Sequence, residues 1–264
     1  MAEITTFDTR INRYRRAGVG FKREQSLYPS VHINSWHDDF IGDVLDLKWT
    51  TTSAGASASA VIVAGTLNGI LRLASGSDDE AGAFATTGLQ WKGDLNCVMQ
   101  ARVKVNAITD GKFEIGWVDA LSYNTDDGVV NVLSSQGSDN GSDYAVAIMD
   151  TDDTGPTNVP LQFVNAKAST ETTKLEPATV TFAAGEYLTI TVALRGDEVK
   201  YTVAMDADDV STDGTEEPYY ESDWVENGIE GGTLLTPWLY SQTRNAGSTK
   251  NLDIDYLRVW QSRV

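Results

Sequence analysis

Alternation with period two runs through this chain, and helical periodicity is almost absent. In NCVMQARVKVN (Asn96 to Asn106), Cys97, Met99, Ala101, Val103 and Val105 share one face; Val98, Gln100, Arg102 and Lys104 share the other, which reads as solvent-facing. KFEIGWVDA aligns Phe113, Ile115 and Trp117, and YLTITVAL aligns Leu188, Ile190, Val192 and Leu194. Successive side chains of a strand point to opposite faces, so each segment reads as a strand with one apolar side on a core. RGDE (Arg195 to Glu198) links the last strand to VKYTVAM, where Val199, Tyr201, Val203 and Met205 alternate, and a hairpin is expected there. Further strands are expected near residues 61–65, 69–76, 143–150, 160–166, 235–242 and 252–260. Ten or more strands exceed an immunoglobulin sandwich and predict an all-β, two-sheet antiparallel jelly-roll sandwich. No repeat or proline-rich linker divides it. Residues 36–264 therefore read as one jelly-roll domain and residues 1–35 as an extended N-terminal arm.

Charge separates the same two parts. The chain carries a formal net charge of −18. Residues 1–35 hold Arg10, Arg13, Arg15, Arg16, Lys22 and Arg23 against Glu3, Asp8 and Glu24, so the arm is +3 and the body −21. A body this acidic is repelled by a phosphate polyanion, which argues against nucleic acid as partner. MAEITTFDTR shows no apolar signal core, and no run approaches the ~18 apolar residues of a membrane helix, so synthesis in a bacterial cytoplasm without a membrane partner is expected. The single cysteine, Cys97, leaves no intrachain disulfide and no cysteine metal cage. Lying on an apolar face, it reads as an inert buried thiol.

Three pieces carry a family resemblance: DDFIGDVLDLKW (Asp38 to Trp49) followed by LNGILRLASGSDDEAG (Leu67 to Gly82), then KFEIGWVDAL (Lys112 to Leu121), then NLDIDYLRVW (Asn251 to Trp260). In that order they resemble the concanavalin A-like lectin/glucanase superfamily. More narrowly, they resemble the laminin-G-like jelly rolls encoded in tailed-bacteriophage genomes near the major capsid gene. The resemblance spans roughly residues 36–262 and implies fold more than activity, because the superfamily holds enzymes, lectins and virion proteins.

Retaining laminarinase-type hydrolases of this fold carry Glu-x-Asp-x-Glu on one strand, placing an acid and a nucleophile roughly 5 Å apart. This sequence has no such triplet. Asp253 and Asp255 are the nearest approach and read as surface carboxylates. Glu114, opposite the apolar face of its strand, is expected either to line a groove or to pair with a cross-strand partner such as Lys112 or Arg102. His32 and His37 are spaced wrongly for a metal on one face and read as the arm–domain junction. Asp150 and Asp152 open MDTDDTGPTN with the spacing of a calcium loop, but Leu161 stands where its closing glutamate belongs, so structural calcium is the lesser reading. DADDVSTDGTEE (Asp206 to Glu217) is a second acidic cluster without that order. Tyr219, Tyr220 and Trp224 could stack on a sugar or fill the core.

The arm combines its cations with Ile11, Tyr14, Val19, Phe21, Leu27, Tyr28 and Val31, while Gly18 and Gly20 interrupt any helix. It reads as a docking strap: Arg10, Arg13, Arg15, Arg16, Lys22 and Arg23 meet acidic groups on a partner, and Tyr14 and Phe21 anchor. On the resemblance, the partner is the major capsid protein or another virion subunit. The expected function is a non-enzymatic head protein, a decoration or minor capsid protein on the virion surface, as a homo-oligomer and without a cofactor. The alternatives are a module that binds cell-surface glycans and a glycosidase or polysaccharide lyase of the same fold. The arm as one more strand of its own jelly roll is the competing structural reading.

Overall fold

The computed structural model describes residues 33–66, 69–121, 127–130, 140–151, 161–171, 174–177, 180, 183–205 and 220–263. Among these residues fifteen strands follow one another: β1 Ile33–Asp38, β2 Thr50–Ala54, β3 Ser59–Ile62, β4 Leu71–Ala74, β5 Gly82–Thr86, β6 Val98–Val105, β7 Gly111–Val118 and β8 Tyr144–Asp150, then β9 Gln162–Lys167, β10 Thr170–Glu171, β11 Tyr187–Arg195, β12 Glu198–Met205, β13 Tyr220–Glu221, β14 Thr236–Thr243 and β15 Asn251–Ser262. They form two antiparallel sheets. The eight-stranded sheet runs β13-β12-β11-β6-β15-β4-β3, with β1 also paired to β15; the seven-stranded sheet runs β10-β9-β8-β7-β14-β5-β2. The long last strand β15 seats β4 against Asn251–Ile254 and β1 against Leu257–Ser262.

The alternating residues meet between the sheets. Met99, Ala101 and Val103 of β6, Ile190 and Val192 of β11, and Val199 and Tyr201 of β12 face Phe113, Ile115 and Trp117 of β7 and Leu239 of β14 in one buried cluster. Two hydrogen bonds cross the sandwich: Trp117 Nε1 donates to the Val192 carbonyl at 3.1 Å, and Tyr201 Oη donates to the Val164 carbonyl at 3.1 Å. Each satisfies a buried polar tip that would otherwise oppose burial of the ring. The β11–β12 hairpin pairs Arg195 with Glu198 around Gly196 and Asp197, as the turn chemistry predicts. Cys97 is fully buried, and burial pushes its thiol far above the ordinary range, so no thiolate forms there.

The structure differs from the sequence reading in three places. Ile33, Asn34 and Ser35, assigned to the arm, pair with Ser262, Gln261 and Trp260 and belong to β1; Trp36 of that strand packs on the main core. The second face of β6 is not uniformly wet: Val98 is fully buried under Trp224 and Trp260, and Gln100 is buried beside Thr191. The middle of the seven-stranded sheet is buried on both faces, because Phe84, Val118, Tyr144, Val146, Ile148, Trp238 and Tyr240 form a second cluster on its far side. The arm's cations and anchors, Arg10, Arg13, Tyr14, Arg15, Arg16, Phe21, Lys22 and Arg23, lie outside the described residues, as do Asp152 and Tyr219.

Candidate functional site

At the middle of the seven-stranded sheet, the far face turns strongly polar. β7 is its central strand, and Lys112, Glu114, Gly116 and Val118 point away from the main core. Glu114 and Lys112 are both 0 % exposed. The carboxylate is saturated. Its Oε1 lies 3.1 Å from Lys112 Nζ and accepts Val130 N–H at 3.1 Å, while Oε2 accepts Val129 N–H at 3.0 Å and Trp238 Nε1–H at 2.7 Å. The ammonium is engaged as fully, donating also to the carbonyls of Asp127 and Val130. A buried charge survives only when paired and hydrogen-bonded, and this pair meets both conditions.

What the network holds is the 127–130 segment. Gly128 there has φ +68°, and a Cβ at that position would come within 2.7 Å of the Tyr240 ring and 2.8 Å of a Glu114 oxygen. Only glycine fits so close an approach in the left-handed region. Phe84, Trp238 and Tyr240 stack in a row beside the pair, with ring centroids 4.8 and 5.6 Å apart. Chemically, the arrangement is a fastener. General acid catalysis needs a proton within hydrogen-bond reach of substrate, and each Glu114 oxygen already faces protein donors. The positions two before and two after it, on the same face, hold Lys112 and Gly116, where a carboxylate pair would need an acid.

The other sequence candidates are equally committed. Asp253 takes Arg72 at 2.6 and 2.8 Å, and Asp255 takes Arg102 at 2.6 Å; a bulge between Ile254 and Tyr256 intervenes. The Asp253 hydrogen bond, ahead of the opposing effect of burial, raises the Arg72 guanidinium. Asp150, read as a calcium ligand, is fully buried and forms an ion pair with Arg244 across a 2.9 Å hydrogen bond. Tyr220 and Trp224 do not share a platform. Tyr220 packs inward, stacked at 5.3 Å on Phe163, and burial raises its phenol. Trp224 packs on the opposite side with Val98, Ala193 and Trp260, under the Arg195 guanidinium 4.3 Å from its ring centre. Sequence reasoning named Lys112 as a partner of Glu114 but across strands; it is the same-strand neighbour two residues away. Trp238 and the 127–130 amides were missed. The signal for Trp238 lies in TPWLYSQ, whose two faces are both apolar or aromatic.

Solved structures with this architecture include enzymes and lectins. A β-glucanase of Bacillus licheniformis superposes with a TM-score of 0.54 at 11 % identity, over 88 % of this chain and 98 % of that one. Peanut lectin gives 0.57 at 9 %, over 87 % and 97 %. The exoplasmic/lumenal domain of VIP36, in its Ca2+/Man3GlcNAc-bound form, gives 0.56 at 13 %, over 89 % and 92 %. The fold is a concanavalin A-like jelly roll. No family model matches the chain, and no curated protein matches it. Identities this low carry the jelly roll alone, since one fold hosts many activities.

Proposed function

We propose that this jelly roll is a non-enzymatic structural protein of a tailed-bacteriophage head, a decoration or minor capsid protein. Its basic N-terminal segment docks on the major capsid protein or another virion subunit, and the sandwich is displayed outward. The observation that carries the non-enzymatic reading is Glu114. The central carboxylate of the sheet is sealed under the 127–130 segment, saturated by protein donors and flanked by a lysine and a glycine. The attachment reading rests on the +3 segment joined to a −21 body and on the resemblance carried by residues 38–49, 67–82, 112–121 and 251–260. Arginine-rich segments meet carboxylates through charge-assisted hydrogen bonds, and aromatic side chains anchor such contacts.

Two measurements test the reading. Reducing-end assays on laminarin, lichenan and agarose are expected to stay at background, and the full-length protein is expected to co-sediment saturably with phage heads that lack it. Turnover on any of these glucans that is lost on Glu114→Gln or Asp253→Asn would overturn the non-enzymatic half. A second reading, a glycan-binding module, has one observation in its favour: Trp224 and Trp260 remain partly exposed on the outer face of the eight-stranded sheet. Glycan binding abolished by Trp224→Ala would establish it, and it is compatible with a displayed sandwich.

A further inference from the structure

Among the described residues, the most exposed large aliphatics stand together on one loop. Of the six large apolar side chains exposed among the described residues, three, Ile41, Val44 and Leu47, stand on the one loop after β1. Leu47 is 101 % exposed, Val44 83 % and Ile41 72 %. Scattered single aliphatics are ordinary on a surface, but a contiguous set marks a contact. A groove of about 530 Å³ runs beside this loop, lined by Trp36, Asp38, Ile41, Val44, Leu45 and Ile62 among others, with Leu47 next to it in the chain.

The loop is held in this outward pose at both ends. Phe40 is buried with φ +53°, Trp49 is buried, and their rings lie 5.4 Å apart. One carboxylate ties them: Asp38 accepts Phe40 N–H and Trp49 Nε1–H, each at 2.8 Å. The backbone at Gly69 closes on the loop so tightly that a Cβ there would sit 1.7 Å from the Phe40 carbonyl oxygen. A bulky residue in the left-handed region persists only where its surroundings impose it. The aliphatics between the two clamps are therefore presented, not left over from a loose turn.

Charge and connectivity select the occupant. Within residues 35–48, Asp38, Asp39, Asp43 and Asp46 stand against Lys48 alone, leaving −3, and Asp39, Asp43 and Asp46 are exposed. An apolar and acidic groove suits an apolar and basic strand. Residues 1–32 carry +3, with Tyr14, Val19 and Phe21 set among their cations. They join the structure at Ile33, two residues from Ser35, which itself lines the groove. The twelve steps from Phe21 to Ile33 span up to roughly 40 Å, ample for the segment to double back. Attachment at the groove's own rim also gives it an effective concentration on the order of millimolar, which a free partner must exceed.

We propose that in the free protein residues 10–31 occupy this groove on their own body, their aromatic and aliphatic side chains covering Ile41, Val44 and Leu47 and their cations facing Asp39, Asp43 and Asp46. This goes beyond the attachment reading and stands whatever partner the segment meets; docking elsewhere then requires its release from the groove. The test is amide hydrogen exchange on the full-length chain, wild type and Ile41→Ser/Val44→Ser/Leu47→Ser. None of these side chains belongs to the sandwich core, so an unchanged melt of the sandwich serves as the control. In the wild type, amides of residues 10–31 are expected to exchange about tenfold or more below their free-peptide rates. That protection is expected to be independent of protein concentration, to weaken as salt screens the carboxylates, and to vanish in the triple variant. Free-peptide exchange in the wild type would overturn the proposal, as would protection that survives the triple substitution. Protection that grows with protein concentration would assign the groove to a second copy and overturn it equally.

Discussion

Glu114→Ala is expected to destabilise the sandwich by about 3–5 kcal/mol, the range for breaking a buried ion pair from one side. The substitution leaves the Lys112 ammonium buried among carbonyls, and it strips the acceptor from Trp238 Nε1–H and from the amides of Val129 and Val130. Each orphaned donor adds desolvation cost. For a chain of this size the melting temperature should fall by roughly 6–20 °C. Lys112→Met alone should cost a similar amount, since it strands the carboxylate. The double variant Lys112→Met/Glu114→Leu should cost clearly less than the two singles together, because no unpaired charge remains. Amide exchange at Val129 and Val130 should accelerate in each case. The prediction separates a fastener from a catalytic group: residues kept for chemistry commonly leave stability unchanged or raised when removed. A stable Glu114→Ala protein with the 127–130 segment still protected would contradict the structural role given to this pair.

The alternating segments were the legible part of the fold. Cys97 to Val105, Phe113 to Trp117 and the Arg195–Glu198 hairpin could be read because one face of each strand is uniformly apolar and period two permits one register. β1, β2 and β5 escaped for the opposite reason. TTTSA has no apolar face at all, being almost wholly exposed; GAFAT is buried on both sides, with small residues around Phe84; INSWHD sets only Ile33 and Trp36 among polar residues. Their strand character comes from pairing with β15 and with one another, a long-range effect that local pattern does not carry. The site divided in the same way. The alternation placed Glu114 opposite Phe113 and Ile115, but what covers that face comes from 127–130, a short stretch with no periodicity of its own. The strands YAVAIMD and TPWLYSQ carry apolar or aromatic residues on both sides, and that composition is itself the mark of a sheet buried on its far face. The groove at Ile41–Leu47 could not be anticipated: the aliphatics of DDFIGDVLDLKW look like core residues, and only the clamp of Phe40, Trp49 and Asp38 turns them outward.

On the function proposed above, the basic segment and not the sandwich attaches this protein to a capsid. The six described pairings of β1 run from Ile33 to Asp38, so deleting residues 1–30 leaves them and the Trp36–Trp49 contact, with ring centroids 5.3 Å apart, in place. The shortened chain is expected to keep a single cooperative melt. Extending the deletion through Asp39 removes six pairings to β15 and Trp36 from the core, and the melt should fall with it. Exposed ion pairs contribute only about 0–1 kcal/mol each, so on this reading Tyr14 and Phe21, each aromatic burial adding about 1.5–3 kcal/mol, carry most of the docking energy and the arginines add to it. Replacing Arg13, Arg15 and Arg16 by Ser should weaken attachment and flatten its dependence on salt. The most direct measurement is sedimentation of heads lacking this protein with the full-length chain and with the chain lacking residues 1–30, at matched concentrations. The full-length chain should pellet with the heads to saturation while the shortened one stays wholly in the supernatant; a folded, shortened chain that decorates heads at full-length occupancy would contradict the claim.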